Sequence, residues 1–360
     1  MDYINNTLWN NLQFSDASNE KRFSELGIIN AVKESTKFVD YVPPSAREKL
    51  SKISSLRLAE IPVIKDQSVT VVQTPGFEFI PANLEETAKY NFVAYDVFSG
   101  FRHYPSTYAN NMVDQNYAIE QKMKNIAYAM GDTIESILAA RLEERKTQLL
   151  DFTTQVNQSS GSGTYTFDTG TDTLKINKAA QQETMFSSLD ELMRANKLPG
   201  NYRTIGSPAA FAVQRLEALK FGEANTKNLQ AQGFMSSDRI HNSHNISAAS
   251  DVFNGWFLRD GSVGVYENFP WDFVNGTEIA GRKWSISDME IPFTRMRANI
   301  YTNKEPTDAS ALITSGVDSN TIMSHFEEMA VWIRFYFVYK YNSDLTTRAQ
   351  DVVKLKGLTT

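Results

Sequence analysis

Between Asp114 and Leu150 the apolar positions recur at spacings of three and four: Ile119, Met123, Ile126, Met130, Ile134, Ile137 and Leu138. That spacing is the mark of an amphipathic helix. Glu120, Lys124, Glu135 and Glu144 are assigned to its other faces, and Gly131 is its one weak helix former. Over 30 residues rising about 1.5 Å each make a rod of roughly 50 Å. The mean helix has only about 11 residues, so this one is expected to run as a spine along one side of the protein.

Before it, from Ala59 to Tyr104, the period falls to two. EIPVIKDQSVTVVQ and YNFVAYDVFSGFRHY read as strands, and Pro75-Gly76 marks a turn between them. The result is one long hairpin with an irregular tip. Residues 1–55 are polar, with helical pieces on both sides of Pro43-Pro44 and Ser45 as a cap, and form an N-terminal arm too poor in apolar residues to fold alone. Residues 251–300 return to β patterns. The last strand is EMAVWIRFYFVYKY, with Val331, Ile333, Phe335, Phe337 and Tyr339 on one face and Trp332, Arg334, Tyr336, Val338 and Lys340 on the other. QVNQSSGSGTYTFDTGTD reads as a low-complexity connector, either mobile or decorating the surface. Glu183 to Ala195 is a helix candidate. No internal repeat is present.

Composition narrows the function classes. The 360 residues allow about two domains at ~150 residues each. With 41% apolar and 22% charged residues a sizeable core is available. The net charge of −6 argues against an overall nucleic-acid-binding surface, although a local basic face stays open. No cysteine is present, which removes disulfides, thiolate metal sites and cysteine nucleophiles. MDYINNTLWNNL has neither a basic n-region nor an apolar h-region, so no secretory signal is expected. AVWIRFYFVYKY is interrupted by Arg334 and Lys340 and falls short of the ~20 residues of a membrane helix. The 22 Phe, 15 Tyr and 5 Trp sit in β-like alternations, where they serve either the core or contacts with other chains.

The sharpest enzymatic candidate is Ser207. In YRTIGSPAAFAVQRL, strand, tight turn, serine and helix follow one another as in a hydrolase nucleophile elbow. The flanking glycines are misplaced, however, and Pro208 removes the N–H that an oxyanion hole would use. Serine before proline is instead a helix start, with Ser207 at the N-cap and Pro208 at the first helical position. His241 and His244, with Asp238 nearby, have a metal-like spacing, but RIHNSHNIS reads as loop and His103 and His325 lie elsewhere. Glu85-Glu86, Glu143-Glu144 and Glu327-Glu328 are adjacent pairs whose members point apart. GSGTYTFDTG has no lysine to meet a phosphate. Arg102, Arg295 and Arg297 suit salt bridges between subunits as well as phosphate contacts. No catalytic, cofactor-binding or metal-ligating residue is therefore assigned, which leaves a binding or assembly protein.

The order of features resembles the major capsid proteins of tailed double-stranded DNA phages, the Hong Kong 97-type fold. Arm, hairpin, the spine DQNYAIEQKMKNIAYAMGDTIESILAARLEERKTQLL, the segment TIGSPAAFAVQRLEALKFGE and the return strand EEMAVWIRFYFVYKY carry the likeness. AEIPVIKDQSVTVVQTPGFEFIPANLEE and YDVFSGFRHYP are similar to capsid sequences from phages of Bacteroidetes hosts. The resemblance implies an α+β fold with an arm at 1–55, an extended hairpin loop at 56–108, a peripheral domain with the spine at 109–180 and 291–360, and an axial domain at 181–290. It also implies self-assembly into hexamers and pentamers of an icosahedral head, built in the host bacterial cytoplasm and residing in the virion. The packaged DNA is held without sequence preference, no cofactor is needed and no membrane is involved. Portal and decoration proteins are further expected partners. Many relatives carry a fused N-terminal scaffolding segment; only some 55 residues precede the hairpin here, so any scaffold is expected to be a separate protein. Encapsulin nanocompartment shells are the nearest rival reading, and a serine hydrolase using Ser207 the rival from another class.

Within this reading the hairpin is the assembly element. Val69, Val71, Phe77, Phe79, Phe92 and Tyr95 lie on strands with no helix of their own to cover them. An isolated hairpin is marginal in water, so it is expected to lie across a neighbouring subunit. Asp66, Glu78, Glu85 and Glu86 would then face basic residues there, with Arg141 and Arg145 on the spine as candidate partners.

Overall fold

The structure is a computed structural model describing residues 26–52, 58–64, 87–104, 112–150, 165–178, 189, 192–208, 240–246, 253–268, 278–279, 282–291, 296–303, 327–340 and 349–358. Among the described residues two short helices come first, α1 (Gly27–Thr36) and α2 (Pro44–Lys52), followed by strands β1 (Leu58–Ile64) and β2 (Thr87–His103) and the long helix α3 (Met112–Glu144). Then follow β3 (Tyr165–Asp168), β4 (Thr173–Ile176), β5 (Tyr202–Gly206), β6 (Ile240–Asn242), β7 (Asn254–Arg259) and β8 (Val263–Asn268). The chain closes with β9 (Glu278–Ile279), β10 (Arg282–Lys283), β11 (Ser285–Ile291), β12 (Met296–Asn303), β13 (Glu327–Tyr339) and β14 (Val352–Gly357). This is a mixed α+β fold.

α3 is the expected spine, a single helix of 33 residues. Ile119, Met123, Ile126, Met130, Ile134, Leu138 and Leu142 are buried on one stripe and share a core with Val331, Ile333 and Phe335 of β13. Ile137 packs on that core from its edge. Gly131 has a packing reason, because a Cβ there would lie 2.9 Å from Leu26 Cδ1, where α1 crosses the spine. Glu135, expected on an outer face, is instead fully buried.

The first sheet has the order β1-β2-β13-β12-β11, with β8 also paired to β13. β1 and β2 form the root of the expected hairpin, Leu58 opposite Val93 and Ile64 opposite Thr87. Beyond it β2 keeps going and pairs with β13, from His103 opposite Glu327 to Ala94 opposite Tyr336. More than half of the expected hairpin's return strand therefore belongs to the body of the fold. The other edge of β13 is shared: β12 takes its first part and β8 its last.

This arrangement overturns the expected cover of Phe92 and Tyr95. Phe92 is buried with Val39, Tyr41, Val42, Leu50, Tyr336 and Val338, and Tyr95 packs beside Phe335 at a ring separation of 5.6 Å. The cover comes from the segment read as an arm. Its few apolar residues cannot form a core of their own, but Ile28, Ile29 and Val32 of α1 complete the core over the spine, while α2 closes one end of the sheet's outer face. Both faces of β13 are consequently buried at most positions from Met329 to Val338.

A second sheet runs β3-β4-β14-β7-β5-β6. Two expectations change here. Part of the presumed connector is the β3–β4 hairpin, whose turn is set by Asp168 Oδ1 accepting the Gly170 N–H at 2.9 Å. Nor is β13 the last strand: β14 follows, parallel to β4 and antiparallel to β7. The sheets also cut across the expected domain limits, since β8 and β11 join the first sheet and β3, β4 and β14 the second. The β7–β8 turn crosses from one sheet to the other. Gly261 has φ +83° there, and a Cβ would meet the Phe38 carbonyl oxygen at 2.5 Å. Ser35 clamps the turn, accepting the Gly261 N–H at 3.0 Å and donating to the Val263 carbonyl at 2.8 Å.

Candidate assembly interface

Among the described residues, the uncovered part of the first sheet is its outer face beyond α2. Along β2 the odd positions Val97, Phe101 and His103 turn towards the core or its edge, whereas Asp96, Phe98, Gly100, Arg102 and Tyr104 are exposed. Phe98 is 65% exposed and sits opposite Trp332. Around this aromatic pair the polar groups are held firmly. Arg334 Nε and Nη2 reach the two carboxylate oxygens of Asp96 at 2.6 and 3.1 Å, and Trp332 Nε1 donates to Asp96 Oδ1 at 2.9 Å. Four residues further along the strand pair from Phe98 and Trp332, Arg102 Nε meets Glu328 Oε1 at 2.7 Å. The Asp96–Arg334 pair is bidentate and the Arg334 guanidinium lies 4.7 Å from the Trp332 ring centroid, so this part of the face is pre-organised. Val113 and Tyr117 at the start of α3 are also exposed, by 74% and 63%. The sequence could not reveal these pairs, because only the strand register sets Asp96 opposite Arg334.

Val69, Val71, Phe77, Phe79, Glu85 and Glu86, as well as Asp66 and Glu78, lie outside the described residues. Arg141 and Arg145 lie at the C-terminal end of the spine and both have partners within the chain. Arg141 Nη1 meets Glu144 Oε2 at 2.6 Å, and its guanidinium lies 5.3 Å from the Tyr95 ring centroid. Arg145 stacks on Tyr339, 3.5 Å from the centroid.

Glu135 forms a buried polar node. Its Oε1 accepts the N–H groups of Ile28 at 2.8 Å and Ile29 at 3.2 Å, and its Oε2 accepts from Ser243 Oγ and from Asn245 Nδ2, the latter at 3.3 Å. α1 has no side-chain cap of its own at Leu26, so the spine supplies the acceptor for its first N–H groups. Burial pushes the Glu135 pKa above the ordinary value, and the hydrogen bonds only partly oppose this. Beside it, His244 Nε2 lies 2.9 Å from Asp132 Oδ1.

Among the described residues the chemical candidates do not assemble. Ser207 is fully buried, so a substrate has no access to its hydroxyl, and among the described residues Oγ has no hydrogen-bond partner that would serve as a base. Its N–H donates to the Asn254 carbonyl at 2.8 Å. The helix that it was expected to cap lies outside the described residues, as do Asp238, Arg295 and His325. Among the described residues no group of three metal-ligating side chains converges. No described helix is long and apolar enough to cross a membrane.

No family model matches the chain, and no curated protein matches it. Solved structures do. A chain of Mycobacterium phage Che8 is similar at 12% identity with a TM-score of 0.42, over 88% of this chain and 89% of that one. The capsid of cyanophage P-SCSP1u gives 13% identity and a TM-score of 0.42, over 90% of each chain. The capsid of Ralstonia phage GP4 gives 10% identity and 0.42, over 90% and 91%. At these identities and TM-scores they are likenesses only.

Proposed function

We propose that the chain is a shell-building protein of the phage-head class, a major capsid protein that forms hexamers and pentamers around double-stranded DNA. The supporting observation is the connection of β1, β2, α3 and β13. A hairpin root opens directly from the body sheet, the spine packs on the sheet's inner face, and β13 returns beside β2 over ten paired positions. This is the order that the Hong Kong 97-type resemblance implies. It leaves 22 residues, 65–86, between two antiparallel strands at the edge of the sheet, a length that suits a loop reaching a neighbour.

In this reading residues 56–93 are the reaching element. The first sheet with α3 is the peripheral body, and the second sheet is the axial part. Val69, Val71, Phe77, Phe79, Glu85 and Glu86 meet a neighbouring copy, and Phe98 with Trp332 belongs to the receiving surface. Arg141, stacked on Tyr95 on the sheet's other face, is a separate candidate partner for Glu85 and Glu86 there, whereas Arg145, stacked on Tyr339, faces the junction of the two sheets. Packaged DNA is met by charge alone, so its binding weakens with salt. The protein performs no catalysis and resides in the virion.

Size-exclusion chromatography with light scattering, followed by electron microscopy, tests the reading. Capsomers or closed megadalton particles are expected. A small oligomer whose Ser207 is labelled by a serine-directed phosphonate probe would overturn it in favour of a hydrolase.

A further inference from the structure

We propose that the cavity at the junction of the two sheets is a binding site for a multiply charged oxyanion of the phosphate type. The cavity has a volume of about 360 Å³ and lies where the end of α3, the turn before β5, the β7–β8 turn, the end of β13 and the start of β14 converge. Among the described residues its charged lining is lopsided, with Arg145, Lys197 and Arg259 against Asp351, and Lys340 at its edge has contacts of its own. That carboxylate is already engaged, with Arg259 Nη1 at 3.1 Å from Asp351 Oδ1. Nearby Asp260 is likewise taken up by Arg203 at 2.5 Å. So much positive charge converging in one hollow of an acidic chain is unfavourable unless an anion shares it.

Two details mark this as a built site. Stacking on Tyr339 fixes the plane of the Arg145 guanidinium, which leaves its edge N–H groups to present a fork, the geometry that matches paired phosphate oxygens. Lys197 has φ +61°, a left-handed turn conformation that glycine adopts at lower cost. Its side chain is exposed and enters no ion pair among the described residues, so packing gives no reason for a lysine at a position suited to glycine. A lone carboxylate would neutralise one charge, whereas a phosphate or pyrophosphate neutralises two or three. The cavity is too small for a duplex, so packaged DNA is not the occupant. The inference does not depend on the shell reading.

Calorimetric titration of the full-length chain with sodium pyrophosphate, citrate, inorganic phosphate and ATP, at one ionic strength, tests it. Saturable one-to-one binding of pyrophosphate is expected, about tenfold tighter than citrate. Lys197→Gly relaxes the backbone while removing the charge, and should weaken binding about tenfold with an unchanged thermal melt. Adding Arg145→Gln should abolish binding. ATP bound as tightly as pyrophosphate assigns the phosphate tail of a nucleotide as the source; ATP bound more weakly assigns a free anion. The proposal is overturned by an absence of saturable binding, by citrate binding as tightly as pyrophosphate, or by folded variants that bind like the parent.

Discussion

At the scale of single residues, Glu135 couples three separate parts of the chain. Four donors converge on one carboxylate: two from α1, and two from the segment after β6. Glu135→Ala would leave buried N–H groups without an acceptor, each costing ~1–3 kcal/mol, so a loss of about 3–5 kcal/mol is expected in urea unfolding. Glu135→Gln keeps a carbonyl oxygen for Ile28 and Ile29 and should lose less. The two variants also separate charge from shape. The folded pKa is raised, so the native state holds the proton more tightly than the unfolded chain does. The contribution of this carboxyl is therefore complete below the ordinary glutamate pKa and is lost as pH rises through the raised value. The stability of the parent relative to Glu135→Gln should fall from pH 4 towards neutrality, on the order of the glutamate titration range. A parent that instead gains on the variant over that interval contradicts the assignment.

At the scale of elements, α3 and β13 hold the molecule together from opposite sides of one core. Ile134 is 1% exposed and lies in the second half of the spine, among side chains shared with Val331 and Ile333. Ile134→Ala should cost about 2–5 kcal/mol, because the long helix cannot collapse into the space left behind. Thermal unfolding monitored by circular dichroism measures it, and a loss within that of an ordinary surface change would contradict the register. The apolar spacing of α3 made its inner stripe legible in advance. It could not reveal that Glu135 faces inwards, because a charged residue is normally exposed and only the uncapped start of α1 reverses that rule here. β13 was similarly legible as a strand, while burial on its second face depends on α2, a helix far away in sequence.

At the scale of the whole molecule, the hairpin is the part that the rest of the chain does not need. β2 from Ala94 onwards is anchored by β13, Arg334 and the core, whatever happens beyond Ile64 and Thr87. Replacing residues 68–90 with a short Gly-Ser turn should leave a folded, soluble subunit that forms no closed particles. The contact each hairpin makes is small, but a shell repeats it around every ring, so its loss is multiplied. Particles of normal appearance in electron micrographs of this deletion would remove the hairpin from assembly and leave the outer face around Phe98 to carry it.

The sequence by itself determined the spine and the strand character of β2 and β13, since each follows from local periodicity. The two sheets were decided only by tertiary structure. β3 hides in a Ser/Gly-rich stretch whose polarity masks its alternation, β4 is only four residues long, and β14 is a six-residue strand interrupted by lysines. Arm residues became core because α1 and α2 bury their few apolar side chains against elements more than 200 positions away, such as β8 and β13. The Asp96–Arg334 pair, the Glu135 node and the basic cavity likewise bring together residues far apart in the chain. Periodicity reports which face of an element is apolar, but a long-range partner is chosen by register and by the space left between packed layers, and neither is encoded in any one segment.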